Sequence, residues 1–108
     1  MKLNIACQGY LEFLKEKGLS ARTLYTYGKD LEQVCQFFGN DTDLDEIVVI
    51  KVGKFLKSDE LLKLPNGNNR AQATVKKTIR VFTHFILWSH TNNYIEELPL
   101  PKTIELKL

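Results

Sequence analysis

The sequence predicts an all-α fold, a bundle of four to five helices. Two long segments, 20–39 and 70–89, carry apolar residues at three- and four-residue steps, the spacing that brings side chains to one face of a helix. The connections around them are short and contain glycine, asparagine and aspartate, which are typical of turns. A single strand-like stretch, 47–50, has no second strand in the sequence to pair with.

The first two helices are predicted to form a tight hairpin. The first runs from about Asn4 to Lys17 and ends at Gly18, only two residues before Ser20. Ser20 is a favoured N-cap residue, and Gly39 suits the positive φ that closes a helix, so the second helix spans 20–39. Its apolar face consists of Leu24, Tyr27, Leu31, Val34 and Phe38.

The middle of the chain is ambiguous on propensity alone. The β-branched run 47–50 favours a strand, but the apolar positions that follow it alternate poorly. We therefore predict a helix from Val48 to Lys57, a short turn at 60–63 and a loop at 65–69. The last long helix runs from about Arg70 to Ser89, and a short turn follows at 94–98. Its broad apolar face contains Val75, Ile79, Phe82, Phe85, Ile86 and Trp88.

Composition predicts one water-soluble domain. The chain has 108 residues, of which 44% are hydrophobic and 26% charged, and it contains no apolar run of membrane-spanning length. Its first residues lead into an ordinary helix and not a signal peptide, so we expect a cytoplasmic protein that does not enter membranes. The two cysteines, Cys7 and Cys35, would suit one disulfide in a secreted protein, but here we expect reduced thiols.

Charge is distributed unevenly along the chain. Net charge is only +2, yet no acidic residue lies between Glu60 and Glu96, and that segment carries +5. The second helix also has a polar stripe without a carboxylate, formed by Arg22, Thr26, Lys29 and Gln33. Basic regions of this kind often face polyanions, although any single stripe also fits a solvated helix face.

The sequence predicts no catalytic, cofactor-binding or metal-binding site. His84 and His90 are six residues apart on different sides of one helix, and no cysteine or carboxylate completes a metal-ligand set beside them. There is no glycine-rich phosphate loop and no arrangement of paired carboxylates. By itself the chain is not expected to be an enzyme.

Several short motifs occur in an order that resembles the N-terminal core-binding domain of tyrosine recombinases, the phage-integrase and Xer-like family. The motifs are Tyr10 to Leu14, Gly18-Leu19-Ser20 followed by Thr23, Tyr27 and Leu31, Thr74 to Lys77, Phe82 to Trp88, and Asn93 to Glu97 with Pro99. The resemblance implies a SAM-like bundle at 1–98 and a linker at 99–108 that leads to a C-terminal catalytic domain. That separate domain would supply the tyrosine nucleophile and the cluster that stabilises the reacting phosphate.

The resemblance also implies double-stranded DNA and other recombinase protomers as partners, with the fragment monomeric alone. In that family the second and fourth long helices lie against DNA, in a clamp around a recombination site. In this sequence they correspond to the predicted helices at 20–39 and 70–89. The residues carried over to DNA contact are Ser20, Arg22, Thr23, Lys29, Arg70, Gln72, Thr74, Lys76, Lys77 and Arg80. Thr78 and Thr83 stand where family members often carry a basic residue.

Two other functions fit the same sequence. A helical protein-interaction module would use apolar residues of the first helix to bind its partner. A stand-alone DNA-binding regulator would bind as a dimer without a catalytic half. The sequence does not identify the DNA target, the kind of mobile element or host process, or which cations read bases and which contact phosphates.

Overall fold

The structure, a computed structural model, describes residues 1–101, which confirm the predicted all-α bundle. The predicted linker at 99–108 lies outside the described residues from position 102 onward. Within residues 1–101 there are five α-helices, one short 3-10 helix and no β-strand. The helices are α1 (Leu3–Glu16), α2 (Ala21–Phe38), α3 (Val49–Leu56), α4 (Asp59–Leu62) and α5 (Gln72–Thr91), and the 3-10 helix is Leu44–Glu46.

Helices α1 and α2 form the predicted hairpin, and local chemistry sets both of its ends. Gly18 adopts a φ of 93°, which a residue with a Cβ rarely takes, and so turns the chain between the helices. Ser20 is the N-cap of α2, because its hydroxyl accepts a hydrogen bond from the Thr23 N–H at 3.2 Å. At the other end Gly39 has a φ of 99°, and its N–H donates to the Cys35 carbonyl.

The ambiguous middle segment is helical, as predicted. Helix α3 buries Val52 and Phe55. Of the β-branched run, only Ile47 lies in the core, whereas Val48, Val49 and Ile50 are exposed. The predicted turn at 60–63 is the four-residue helix α4, which buries Leu61. The turn at 94–98 is a series of bends that places Ile95 in the core.

The core is one cluster of aliphatic and aromatic side chains, and α5 contributes to two groups of aromatic rings within it. In the first, Phe82 lies 5.1 Å from Phe55 and 6.0 Å from Phe38 between ring centroids. In the second, Trp88 lies 5.4 Å from Tyr10 and 5.3 Å from Tyr94. Helix α5 therefore joins α1, α2 and α3 through aromatic contacts, which makes it the central packing element.

Among residues 1–101, no helix combines the length and the apolar content needed to cross a bilayer.

Candidate nucleic-acid interface

A buried carboxylate joins α2 to α5. Asp30 is only 5% exposed, and its Oδ1 accepts a hydrogen bond from the Thr78 hydroxyl at 2.7 Å. Its other oxygen, Oδ2, accepts from the Lys77 ammonium at 2.9 Å, in an ion pair whose lysine side chain is 33% exposed. The same ammonium lies 5.6 Å from the centre of the Tyr27 ring. One turn of α2 is thus tied to one turn of α5 by a charged contact.

Arg70 extends this contact towards α4. Its Nη1 donates to Gln33 Oε1 at 2.8 Å and to the Leu61 carbonyl at 2.7 Å. Its Nη2 donates to the Thr78 hydroxyl oxygen at 3.0 Å. We call the five side chains that meet here the Asp30 network: Gln33, Asp30, Arg70, Lys77 and Thr78. Charged hydrogen bonds of this kind hold helices in one relative position because leaving any member unpaired in the interior is costly.

Two of the ten predicted DNA-contact residues therefore have an internal role. Arg70 and Lys77 both direct their cationic groups to acceptors within the fold. The positive charge of Lys77 is offset by Asp30, so the segment 61–95 presents less outward charge than its sequence suggests. Any contact of these two residues with a polyanion competes with the Asp30 network.

The other cations among the ten point to solvent. On α2, Arg22 and Lys29 are exposed and seven residues apart, which places them two turns apart on one side of the helix. On α5, Gln72, Lys76 and Arg80 are exposed at four-residue steps and form a row. With Thr74, which is also exposed, these residues are the outward set: Arg22, Lys29, Gln72, Thr74, Lys76 and Arg80.

The surroundings of the outward cations differ between the two helices. Lys29 is 3.6 Å from the Glu32 carboxylate, and its ammonium is 5.3 Å from the Tyr25 ring centre. Both side chains of this ion pair are more than half exposed, so water and salt screen the attraction. Helix α5 contains no Asp or Glu in its sequence, which leaves Lys76 and Arg80 without an acidic neighbour on their own helix.

The remaining two predicted residues, Ser20 and Thr23, form the first turn of α2. The hydroxyl groups of Ser20 and Thr23 lie 3.0 Å apart, and Ser20 also caps the helix. Both residues are accessible, Ser20 more so than Thr23. Their polar groups face the helix N-terminus, where the macrodipole favours negative charge.

Thr78 and Thr83, the two threonines at which the resemblance implied a basic residue, are inside the fold. Thr78 is fully buried, and Thr83 is 3% exposed. The Thr83 hydroxyl donates to the Ile79 carbonyl of its own helix at 2.8 Å, and Thr78 belongs to the Asp30 network. A long cationic side chain at position 83 would bring a charge into the core beside the apolar residues of α5. At position 78 it would stand beside the Asp30 carboxylate, in the place that the Thr78 hydroxyl now takes.

Sequence reasoning missed the Asp30 network, although two signals for it were present. Asp30 directly precedes Leu31, at the edge of the apolar face of α2. Thr78 lies between Val75 and Phe82 at helical steps, inside an otherwise apolar row of α5. Polar side chains at such positions require partners, and a pairing of the two helices through them is the simplest way to satisfy both.

Tyr10 is a core residue and not an activated nucleophile. Tyr10 is 4% exposed and packs against Phe85 and Trp88. Burial, together with the nearby Tyr27, raises the pKa of the Tyr10 hydroxyl to about 12, the opposite of activation. Within residues 1–101, no group of three or more His, Cys, Asp or Glu side chains comes together as a metal site would require.

Comparison with known proteins identifies the fold family. No curated protein and no solved structure matches the chain. The family model described as the phage integrase N-terminal SAM-like domain matches residues 7–90. This span runs from the middle of α1 to the last turn of α5 and covers most of the chain. The chain therefore belongs to the phage integrase N-terminal SAM-like domain family.

Proposed function

We propose that this chain is the DNA-binding core-binding domain of a tyrosine recombinase. Residues 1–98 would clamp a recombination site, and the segment from 99 onward would lead to a catalytic domain. The observation that carries the proposal is the row of exposed basic and polar side chains on α5, a helix without acidic residues, in a chain of the integrase family. Lysine and arginine side chains on such a surface bind DNA by neutralising phosphates and releasing counterions.

The proposal gives the ten predicted residues different roles. Arg22, Lys29, Lys76 and Arg80 would contact phosphates, because their charged groups are exposed. Gln72 and Thr74 would lie beside them and could reach base edges or the sugar–phosphate backbone. Ser20 and Thr23 would approach a phosphate at the start of α2. Arg70 and Lys77 would instead hold α2 and α5 in the relative position that contact requires.

Strand cleavage is assigned to a separate domain in this proposal. The chain itself would bind and orient the DNA, and the catalytic domain would supply the tyrosine nucleophile and the groups that stabilise the transferring phosphate. Affinity would then be shared between the two halves of the clamp, because binding of one half raises the effective concentration of the other.

A second function, protein interaction, is favoured by one observation. Val48, Val49 and Ile50 at the start of α3 are 46%, 48% and 74% exposed, although all three are large and apolar. Exposed apolar side chains in one group are common where a protein meets another. Contact with other protomers of a recombinase assembly is one such role, and it is compatible with DNA binding through α2 and α5.

The substitution Arg80→Ala tests the role of α5. We expect it to weaken binding to a duplex several-fold at low salt and to reduce the slope of log K against log salt by about 1, because one phosphate contact is lost. Arg80 is exposed, so stability should stay unchanged. The measurement is fluorescence anisotropy with a labelled duplex at several salt concentrations.

Lys51→Ala is the matched control. Lys51 is an exposed cation on α3, which carries none of the ten predicted contact residues. The substitution removes the same charge from the protein and should leave the affinity nearly unchanged. Equal losses for Arg80→Ala and Lys51→Ala would mean that only net charge matters, and would contradict the assignment of α5.

A further inference from the structure

The two cysteines lie in contact across the α1–α2 hairpin. Cys7 in the second turn of α1 and Cys35 in the last turn of α2 have their sulfur atoms 3.9 Å apart, as free thiols. They are 28 residues apart in sequence, so the fold itself brings them together. A disulfide requires the sulfur atoms to approach by about 2 Å further, which rotation of the two side chains can supply in part.

The environment of this pair allows a small reagent to reach it. A surface pocket of about 430 Å³ is lined by Cys7 and Cys35 together with Gln8, Glu32 and Gln36. Cys7 is 5% exposed, whereas Cys35 is half-buried and is the more accessible sulfur. The pair thus lies at the edge of the core, with the Cys7 sulfur buried and the Cys35 sulfur partly accessible from the pocket.

The two thiols are also electrostatically distinct. The hydrogen bond with Cys7 lowers the pKa of Cys35, against the opposing effects of burial and of the Glu32 charge. The same hydrogen bond, followed by burial, raises the pKa of Cys7. Cys35 is therefore the sulfur that more readily becomes a thiolate.

We propose that Cys7 and Cys35 form a reversible disulfide within the chain when the protein is exposed to hydrogen peroxide. The Cys35 thiolate attacks one peroxide oxygen, the O–O bond breaks, and the products are a Cys35 sulfenic acid and water after proton uptake. The Cys7 sulfur then attacks the Cys35 sulfur, the S–O bond breaks, and the departing hydroxide takes the thiol proton to leave as water. Two thiols are oxidised and one hydrogen peroxide is reduced to two waters.

The disulfide would cross-link the second turn of α1 to the last turn of α2. It would close a loop across 28 residues, and such cross-links stabilise folds by restricting the unfolded chain. We expect the melting temperature to rise by about 10 °C or more on oxidation, and to return when dithiothreitol is added. This inference does not depend on DNA binding, since the pair lies outside the ten predicted contact residues.

The test measures the effective concentration of the two thiols for each other. The full chain is equilibrated with mixtures of reduced and oxidised glutathione, first folded and then in urea, and the disulfide fraction is read by alkylation and intact mass. In urea, where the two thiols are joined by a flexible loop, their effective concentration should be on the order of millimolar. The fold should raise that value by at least about tenfold, because it holds the sulfur atoms in contact. An equal or lower value in the folded protein would overturn the proposal.

Single variants test the order of the two steps. After peroxide treatment, Cys7→Ser should accumulate a Cys35 sulfenic acid that dimedone traps, because the resolving thiol is missing. Cys35→Ser should react much more slowly, since Cys7 is buried and has the raised pKa. Peroxide treatment of the unsubstituted chain should give a monomer with no alkylatable thiol. Disulfide-linked dimers, or two thiols that still alkylate, would overturn the proposal.

Discussion

Replacing Asp30 by Ala is expected to lower the free energy of unfolding by about 3 kcal/mol. The substitution removes the acceptor of two charged hydrogen bonds, one from the Lys77 ammonium and one from the Thr78 hydroxyl in a fully buried site. Thr78 keeps its contacts with Arg70 and the Thr74 carbonyl, so the main loss is the charged acceptor itself. Lys77 is a third exposed and can recover some hydration, which places the loss at the lower end of the range for broken buried pairs. Urea denaturation followed by circular dichroism measures the change.

Two further substitutions give this prediction its controls. Asp30→Asn keeps an acceptor for Thr78 but removes the charge, so it should cost less than Asp30→Ala. Glu32→Ala removes an exposed carboxylate of the same helix, paired with Lys29 at 3.6 Å, and should change stability by no more than about 0.5 kcal/mol. A loss for Asp30→Ala as small as that for Glu32→Ala would show that the Asp30 network does not hold α2 to α5.

Phe82→Ala is expected to cost about 4 kcal/mol, the largest effect among these substitutions. Phe82 is fully buried and contacts the rings of Phe38 and Phe55, so its truncation leaves a cavity where three helices meet. A loss of this size is a large fraction of the total stability of a small domain. The measurement is again the midpoint and slope of the urea transition.

Phe82→Leu is the matched control for size and shape. Leucine fills most of the same volume, so the expected loss is only about 1 kcal/mol. Equal losses for the alanine and leucine variants would indicate that the ring contacts matter more than the volume they fill. A loss below about 1 kcal/mol for Phe82→Ala would contradict the placement of this residue at the centre of the core.

The helices themselves were largely predictable because their determinants are local. Ser20 and Gly39 bound α2 in the sequence as they do in the structure, and Gly18 makes the turn before it. The helix at 49–56 was predicted against its β-branched composition from the absence of a pairing strand. The predicted boundaries of the four longer helices differ from the structure by only one or two residues at each end.

The candidate site was predicted less completely, because partners distant in sequence are not visible in a periodic pattern. Arg70 and Lys77 look like exposed cations on a helix, and nothing within one turn reveals their acceptors. The acceptors on α2, Gln33 for Arg70 and Asp30 for Lys77, lie 37 and 47 residues away. Only the folded structure shows that Arg70 and Lys77 belong to the Asp30 network and not to the outward set.

DNA binding by the full chain, measured as a function of salt, tests the central claim most directly. If Arg22, Lys29, Lys76 and Arg80 each contact a phosphate, log K for a labelled duplex should fall with log salt with a slope of about −3 to −4. That result would support the clamp and count its contacts. Absence of binding at low salt, together with a concentration-dependent oligomer, would contradict DNA binding and favour protein interaction as the function.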